Sequence, residues 1–321
     1  MITNLRLKNF PISFYSITLG LAGFTVAWQK AEHLLKWNFG LSPVLFGIVL
    51  ALFAITTLIY LTKWTKFPQE VKKEFNDPVK INFYPIIAKV LLLISIIFLN
   101  IHSLQLSKIF WILGVIAQLT FTLTILSFWM HKDKFELKHI SPAIFMPIVG
   151  NVLIPIAGVH LYSPEISWFF FSIGLTFWLI FTTIVLNRVM FHQPLKEKLM
   201  PTFFILMAPP AVAFIAYVQL TNNIDIAARL LYYFSMFIFI LLLVQVKYFS
   251  KIKFYLSSWA YSFPLDAFVI ASFLMLHKTH WPFMQSFVKF AFILLNLLII
   301  TLIYKTFQAI SKKEICIEEN E

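Results

Sequence analysis

The chain has 321 residues, of which 60% are hydrophobic and only 12% are charged. A soluble domain of this length could not cover so much apolar surface with so few charges, so the composition excludes a soluble globular protein and indicates an integral membrane protein. The single cysteine, Cys316, excludes an internal disulfide framework. The net charge of +12 has to be interpreted by where the basic residues lie relative to the membrane.

Ten apolar runs are long enough to cross a bilayer as helices, which takes about 20 residues each. They fall at residues 13–33, 43–62, 83–101, 106–129, 142–160, 165–187, 200–219, 227–247, 256–276 and 282–304. The first run follows Arg6 and Lys8 like a signal peptide, but it contains Trp28 and lacks a small-residue cleavage site, which favours a retained span. We therefore predict an all-α membrane protein, with one ten-helix transmembrane domain over residues 1–310 and a cytoplasmic tail over 311–321.

The basic residues lie mainly on one side of these spans. Nineteen of the 26 Lys and Arg residues fall on the side of the N-terminus, including Lys132 and Lys134, and five fall on the opposite side. By the positive-inside rule both termini are predicted to be cytoplasmic. Most of the net charge therefore reports membrane orientation, and nucleic acid is not expected as a partner.

Prolines divide the spans into two alternating classes. They lie well inside the odd-numbered spans, as Pro85, Pro147, Pro155, Pro209, Pro210 and Pro264, whereas even-numbered spans carry proline only near their starts. The first span has Gly20 and Gly23 instead. Proline interrupts helical hydrogen bonding, and an interrupted helix is tolerated in a membrane only where protein or water screens it from lipid. We expect five helix hairpins, with the odd helices inside, surrounding a central pore.

Phe263 next to Pro264 suggests an aqueous path with an aromatic plug, although a packed core phenylalanine is the commoner situation for such a residue. Weak polar stabilisation suits an anion path, because an ion that is bound tightly does not leave. The candidate polar groups on the odd spans are Ser13, Ser16, Thr18, Ser95, Asn151, Thr202 and Ser262. Each of these groups could equally serve in ordinary helix–helix hydrogen bonding.

Two ionisable residues lie deep inside odd spans. Lys89 either extends to the membrane surface or lends a positive field to the inner mouth of the pore. Asp266 is near mid-membrane, where an unpaired charge costs about 3 kcal/mol, so we expect it to be protonated, paired or turned away from the pore. His277 and His280 are too isolated to predict a metal site, and no cofactor is expected.

Several motifs together resemble the tellurite-resistance/dicarboxylate transporter family, which includes the plant slow anion channels and their bacterial homologues called TehA. They are PISFY at 11–15, LGLAG at 19–23, FNDPV at 75–79, MPIVGN at 146–151, FHQPL at 191–195, LMPT at 199–202, MAPPA at 207–211 and WAYSFPL at 259–265. The matches are in order and cover nearly the whole chain.

The resemblance implies five quasi-symmetric hairpins around one pore per subunit, a homotrimer, and a location in the bacterial inner membrane. It also implies that Phe263 blocks the pore and that the transported species are small anions such as chloride, nitrate, sulfite or malate. Asp266 departs from the family motif, in which a small or neutral residue is more usual. A proton-coupled C4-dicarboxylate carrier, with Asp266 as its proton site, or a sulfite or tellurite exporter remains the alternative to a channel.

Overall fold

The computed structural model describes residues 4–37, 39–131 and 136–317. Lys132 and Lys134, which count toward the predicted cytoplasmic charge, and residues 318–321 of the predicted tail lie outside these ranges. Within them the chain forms helices joined by turns, without strands. Ten long helices, numbered here in chain order, make up the body of the protein. They are α1 (Tyr15–Leu35), α2 (Leu41–Lys66), α3 (Ile86–Asn100), α4 (Leu104–His131), α5 (Met146–Leu161), α6 (Pro164–Phe191), α7 (Ala208–Thr221), α8 (Ile226–Val244), α9 (Ser262–Thr279) and α10 (Pro282–Ser311).

The odd-numbered helices form a closed inner ring. Helix α1 contacts α3, and the contacts continue from α3 to α5, from α5 to α7, from α7 to α9 and from α9 back to α1. Each odd helix also contacts the even helix that follows it in the chain, so the fold consists of five hairpins. All inner helices begin on one face of the bundle, here called the N face, and end on the other, here called the C face.

Burial separates the two classes as the proline pattern predicts. In the most apolar stretches, between 72% and 89% of residues are buried for the segments containing α3, α5, α7 and α9, against 17% to 33% for the even helices. The even helices expose large apolar side chains such as Leu58, Ile116, Leu179, Leu230 and Ile300. Such a surface suits contact with lipid. The all-α membrane fold of paired inner and outer helices is therefore confirmed.

Among the described residues, nine of the ten long helices are long and apolar enough to cross a membrane by length and composition, counting any 3-10 turn that leads into them. The exception is α1, which has 21 residues. Polar residues near its end, Gln29, Lys30, Glu32 and His33, lower its apolar character. Its first thirteen residues are all buried, because it belongs to the inner ring.

The prolines lie differently from the mid-helix kinks that we expected. A 3-10 segment precedes every inner helix: Ile12–Phe14, Lys80–Phe83, Pro142–Phe145, Glu197–Met207 and Leu256–Tyr261. Pro85, Pro147, Pro209, Pro210 and Pro264 then fall at the cap or within the first three residues of an α-helix. The first turn of a helix needs no N–H at these positions, so proline fits there without strain. Pro155 alone of the predicted set lies in the middle of an α-helix.

Candidate functional site

A wide cavity of about 560 Å³ occupies the axis of the inner ring toward the C face. All five inner helices contribute to its wall, for example through Val26, Ile96, Ile156, Ile215 and Ile270. Its wall is therefore mainly apolar, and polar groups are placed near the helix ends. A space of this size can hold a small anion together with part of its water shell.

A second, narrow cavity of about 10 Å³ lies toward the N face. It too is lined from all five inner helices, through residues close to the start of each one: Ser16, Lys89, Met146, Ala208 and Pro264. Its volume matches a single water molecule at most. The starts of the five inner helices therefore meet around this narrow cavity.

Phe263 belongs to the wall of both cavities, and its side chain is only 7% exposed. The local structure fixes its backbone, because α9 begins one residue earlier and the Ser262 hydroxyl donates to the Trp259 carbonyl at 2.7 Å. The Trp259 indole in turn donates to Thr306 Oγ1 on α10 at 2.9 Å. On its other side Ser262 packs against Gly20, where a Cβ would lie 2.1 Å from the serine Oγ. These contacts with α1 and α10 fix the backbone next to Phe263, whose side chain lines both cavities.

Lys89 does not extend to the surface. Its side chain is 1% exposed and lines the narrow cavity, where Nζ lies 3.1 Å from the Met146 thioether sulfur. A thioether is a weak acceptor and brings no charge. Lys89 therefore presents an amine at the axis without an ion-pair partner among the described residues.

Asp266 is fully buried but lines neither of the two cavities. It packs against Gly23 of α1, and neither carboxylate oxygen has a hydrogen-bond partner among the described residues. Of the three situations expected for this residue, pairing is not seen among the described residues.

The other predicted polar residues serve contacts between helices or within the chain. Ser95 bonds with Ser107 of α4, with Oγ to carbonyl distances of 2.8 and 2.9 Å in the two directions. Thr202 Oγ1 donates to the Leu199 carbonyl at 2.6 Å. Ser13 and Thr18 are not among the lining residues of either cavity. Ser95 and Thr202 thus hydrogen-bond within the protein, and none of the four residues lines either cavity.

Asn151 also points away from the axis. Its Nδ2 donates to Thr122 Oγ1 of α4 at 3.0 Å and approaches the Pro147 carbonyl at 3.3 Å. Gln118 Nε2 donates to the same carbonyl at 2.7 Å. Side chains of both helices thus donate to the Pro147 carbonyl, and this polar cluster ties α5 to α4.

A set of basic residues, of which the sequence analysis named only His277, surrounds the mouth of the wide cavity. Lys30 and His33 from the end of α1 line it, together with His102, His160 and His277. All four histidines are exposed, and Lys30 is half-buried. The sequence feature that they share is their position: each lies in the last turns of an inner helix or directly after one. In the described part of the chain no group of three or more His, Cys, Asp or Glu is placed to hold a metal ion.

Comparison with known proteins identifies the family. The family model described as voltage-dependent anion channel, SLAC1, matches residues 9–307. The S-type anion channel SLAH2 of Arabidopsis thaliana is 31% identical over 279 residues, which are 83% of this chain and 52% of the plant protein. The chain thus spans about half the length of that relative.

Two microbial relatives match over most of both chains. The tellurite resistance protein TehA homolog of Haemophilus influenzae is 26% identical over 310 residues, 95% of this chain and 93% of the relative. An uncharacterized transporter of Methanocaldococcus jannaschii is 27% identical over 292 residues, 84% and 85% of the two chains. The predicted resemblance is therefore confirmed: the chain belongs to the SLAC1 family of anion channels and transporters, a family of multi-pass membrane proteins that includes TehA-like members.

Proposed function

We propose that this protein is an anion channel that conducts along the axis of its inner ring and that Phe263 occludes the path. The observation that carries the proposal is that one phenyl ring belongs to the walls of both the wide and the narrow cavity. A bulky apolar ring at that position blocks the path by its volume and by excluding water. The path opens when the ring moves or is removed.

The electrostatics of the two cavities support an anion as the permeant species. None of the described residues lining either cavity is Asp or Glu. Lys89 contributes an amine to the narrow cavity and Lys30 contributes one to the wide cavity. The first turns of the inner helices surround the narrow cavity, and the N-terminal end of a helix favours negative charge. Ser16 adds a hydroxyl donor there. These contributions are individually weak, which allows an anion to leave as well as to enter.

The finer assignments follow the family resemblance and belong to the same proposal. Chloride, nitrate, sulfite and malate are the anions to be tested, in a protein of the bacterial inner membrane that forms a homotrimer. Both termini are assigned to the cytoplasm because the basic residues concentrate on the N face. The C face is accordingly assigned to the outside.

A proton-coupled dicarboxylate carrier, or a sulfite or tellurite exporter, is the alternative. The carrier hypothesis needs a proton site on the substrate path, and Asp266 was its candidate. The position of Asp266 against Gly23, outside the lining of both cavities, weighs against that role. Transport that depends on a pH gradient and is lost in Asp266→Asn would favour the carrier instead.

The test of the channel proposal is the current through Phe263→Ala in planar bilayers or oocytes. We expect large anion-selective currents where the wild type gives small ones. Phe268→Ala is the matched control, because it removes the same ring from the same helix at a fully buried site packed against Phe239 of α8. Currents that stay at the wild-type level in a well-folded Phe263→Ala protein, or that rise equally in both variants, would contradict the proposal.

A further inference from the structure

The mouth of the wide cavity carries a concentration of basic groups that the occlusion at Phe263 does not use. Lys30 and His33 approach it from α1, His102 from the connection between α3 and α4, His160 from α5 and His277 from α9. Four of the five sides of the inner ring thus contribute a basic side chain. The fifth side, α7, contributes the neutral amide of Gln219.

The carboxylates of this face are engaged elsewhere. Glu32 accepts from the backbone N–H groups of Leu41 and Ser42, at 2.8 and 3.2 Å, and from the Ser42 hydroxyl, where α2 begins. Asp225 accepts from the Tyr217 hydroxyl and from the Ala228 N–H at the start of α8. These carboxylates therefore serve helix starts, where their charge is favourable.

The remaining charged groups of the C face add to its positive character. Glu165 is exposed at the start of α6 and lies outside the cavity lining. The additional cations near this face are Lys36, Lys108, Arg229 and Lys278, of which Lys278 donates to Asn222 Oδ1 at 2.7 Å. His280 is also exposed on this face and contacts the ring of His277, but it does not line the cavity.

We propose that five residues, here called the rim, form an anion-collecting site at the mouth of the wide cavity, and that acid on the C face strengthens it. The rim consists of Lys30, His33, His102, His160 and His277. The proposal rests on the proposed channel function and adds to it an entry site with a defined ligand class, small inorganic or carboxylate anions. Lys30 supplies an amine at the mouth of the cavity, and the histidines supply imidazole groups around it.

The arrangement of the rim suits this role. Histidine is the side chain whose charge is most readily changed by pH near neutrality, so four histidines around one mouth suit a site that acid strengthens. His160 Nε2 lies 3.1 Å from Gln219 Oε1, a contact in which the ring donates, so protonation preserves it. Apolar walls below the rim focus the field of these charges into the cavity. The anion concentration at the mouth then rises with each proton bound.

The experiment measures the potential inside the cavity without relying on conduction. Cys316→Ser removes the only native cysteine, and Leu274→Cys places a thiol in the wall of the wide cavity. The rates of modification by a negatively charged and by a positively charged methanethiosulfonate are compared in purified full-length protein. Their ratio reports the local potential, because the thiolate fraction affects both rates equally.

We expect the ratio to favour the anionic reagent at pH 7.5 and to rise roughly three- to tenfold at pH 5.5. Lys30→Met lowers the ratio at both pH values. Changing His33, His160 and His277 to Gln, and His102 to Asn because its φ is +61°, removes the rise with acid while leaving the value at pH 7.5. The matched control is His280→Asn, on the same face but outside the cavity lining, which leaves the ratio unchanged.

A ratio that does not change with pH in the background protein, or that rises equally in the four-histidine variant, overturns the proposal. The outcome is separable from that of the channel proposal. If Phe263→Ala fails to conduct while the reagent ratio behaves as expected, the rim collects anions but the axis is not the conduction path. If Phe263→Ala conducts and the ratio is flat, the channel stands without this entry site.

Discussion

Gly23 of α1 lies directly against Asp266 of α9, so closely that a Cβ at position 23 would lie 2.6 Å from Asp266 Oδ2. The same Cβ would lie 2.9 Å from both Cβ and Cγ of the aspartate. The Cβ and Cγ atoms of Asp266 are close to its backbone, and the side chain is fully buried, so it cannot move away by changing rotamer. The approach of α1 to α9 therefore requires glycine at position 23.

Gly23→Ala is expected to destabilise the protein by about 1–3 kcal/mol, the usual cost of overpacking a well-packed core. The measurement is the apparent melting temperature in detergent. Gly47→Ala is the matched control, because no atom lies within 4 Å of a Cβ built there and the residue is exposed on α2. It should keep or raise the melting temperature, since alanine favours helix by up to about 1 kcal/mol over glycine. Equal melting temperatures for the two variants would contradict the close contact.

Lys89→Met is expected to separate stability from function. The change removes a buried amine whose nearest polar partner is a thioether, so the melting temperature should stay the same or increase. In the Phe263→Ala background the anion current should fall several-fold, because the amine that can donate to an anion at the narrow cavity is lost.

The control for this pair of measurements is Lys289→Met, which changes the same residue type at an exposed position of α10. It should affect neither the current nor the melting temperature. A loss of stability in Lys89→Met, or an undiminished current, would show that Lys89 is a structural residue rather than part of the anion path.

A buried ion pair on the N face joins three segments of the chain. Lys63 Nζ at the end of α2 lies 2.8 Å from Glu74 Oε2 and donates to the Phe10 carbonyl, and Glu74 Oε1 accepts from the Ile12 N–H at 2.7 Å. Glu74→Gln should lower stability by about 3–5 kcal/mol, because Lys63 would remain buried without its counter-charge. Thermal melting or detergent-induced unfolding measures the loss.

The exposed pair of Lys73 and Glu70, 3.2 Å apart, is the comparison for that prediction. Lys73 is 74% exposed, and surface ion pairs contribute at most about 1 kcal/mol. Lys73→Met should therefore leave the melting temperature almost unchanged. A similar effect for the two pairs would mean that the Glu74 network does not anchor the segment before α1.

Cys316 provides a test of membrane orientation with the native sequence. Burial raises the pKa of its thiol to about 11, so the reactive thiolate is scarce at neutral pH. Modification by a membrane-impermeant maleimide should be slow at pH 7 and accelerate about tenfold per pH unit up to that value. It should occur in inverted membrane vesicles and not in intact cells. Labelling of intact cells would place the C-terminus outside and reverse the proposed orientation.

The hairpin architecture could be predicted because it leaves a regular mark on the sequence. Prolines in alternate spans indicate which helices are shielded from lipid. The burial of Pro85, Pro147, Pro209 and Pro264 agrees with that prediction. The position of the α-helix starts could not be predicted, since a proline within an apolar run is compatible with either a kink or a first turn. The preceding 3-10 segments decide between them.

The sequence also could not predict which polar side chains of the inner helices face the axis. Asn151, Ser95 and Ser16 are all polar residues on inner helices. Asn151 and Ser95 face α4, whereas Ser16 lines the narrow cavity on the axis. Helical periodicity does not separate these cases, because an inner helix is buried on all sides. The rim was not predicted for a different reason: His102 and His277 are far apart in the chain and line the same cavity only because the ring closes.

The junction between the 3-10 segment Leu256–Tyr261 and α9 has a geometric consequence for Phe263, the second residue beyond it. A 3-10 helix advances about 120° and 2.0 Å per residue, whereas an α-helix advances about 100° and 1.5 Å. Each residue transferred from one form to the other therefore turns the phenyl ring by about 20° around the helix axis and shifts it by about 0.5 Å. If one turn of the 3-10 segment became α-helical, the phenyl ring of Phe263 would move sideways while the C-face part of the bundle stays in place.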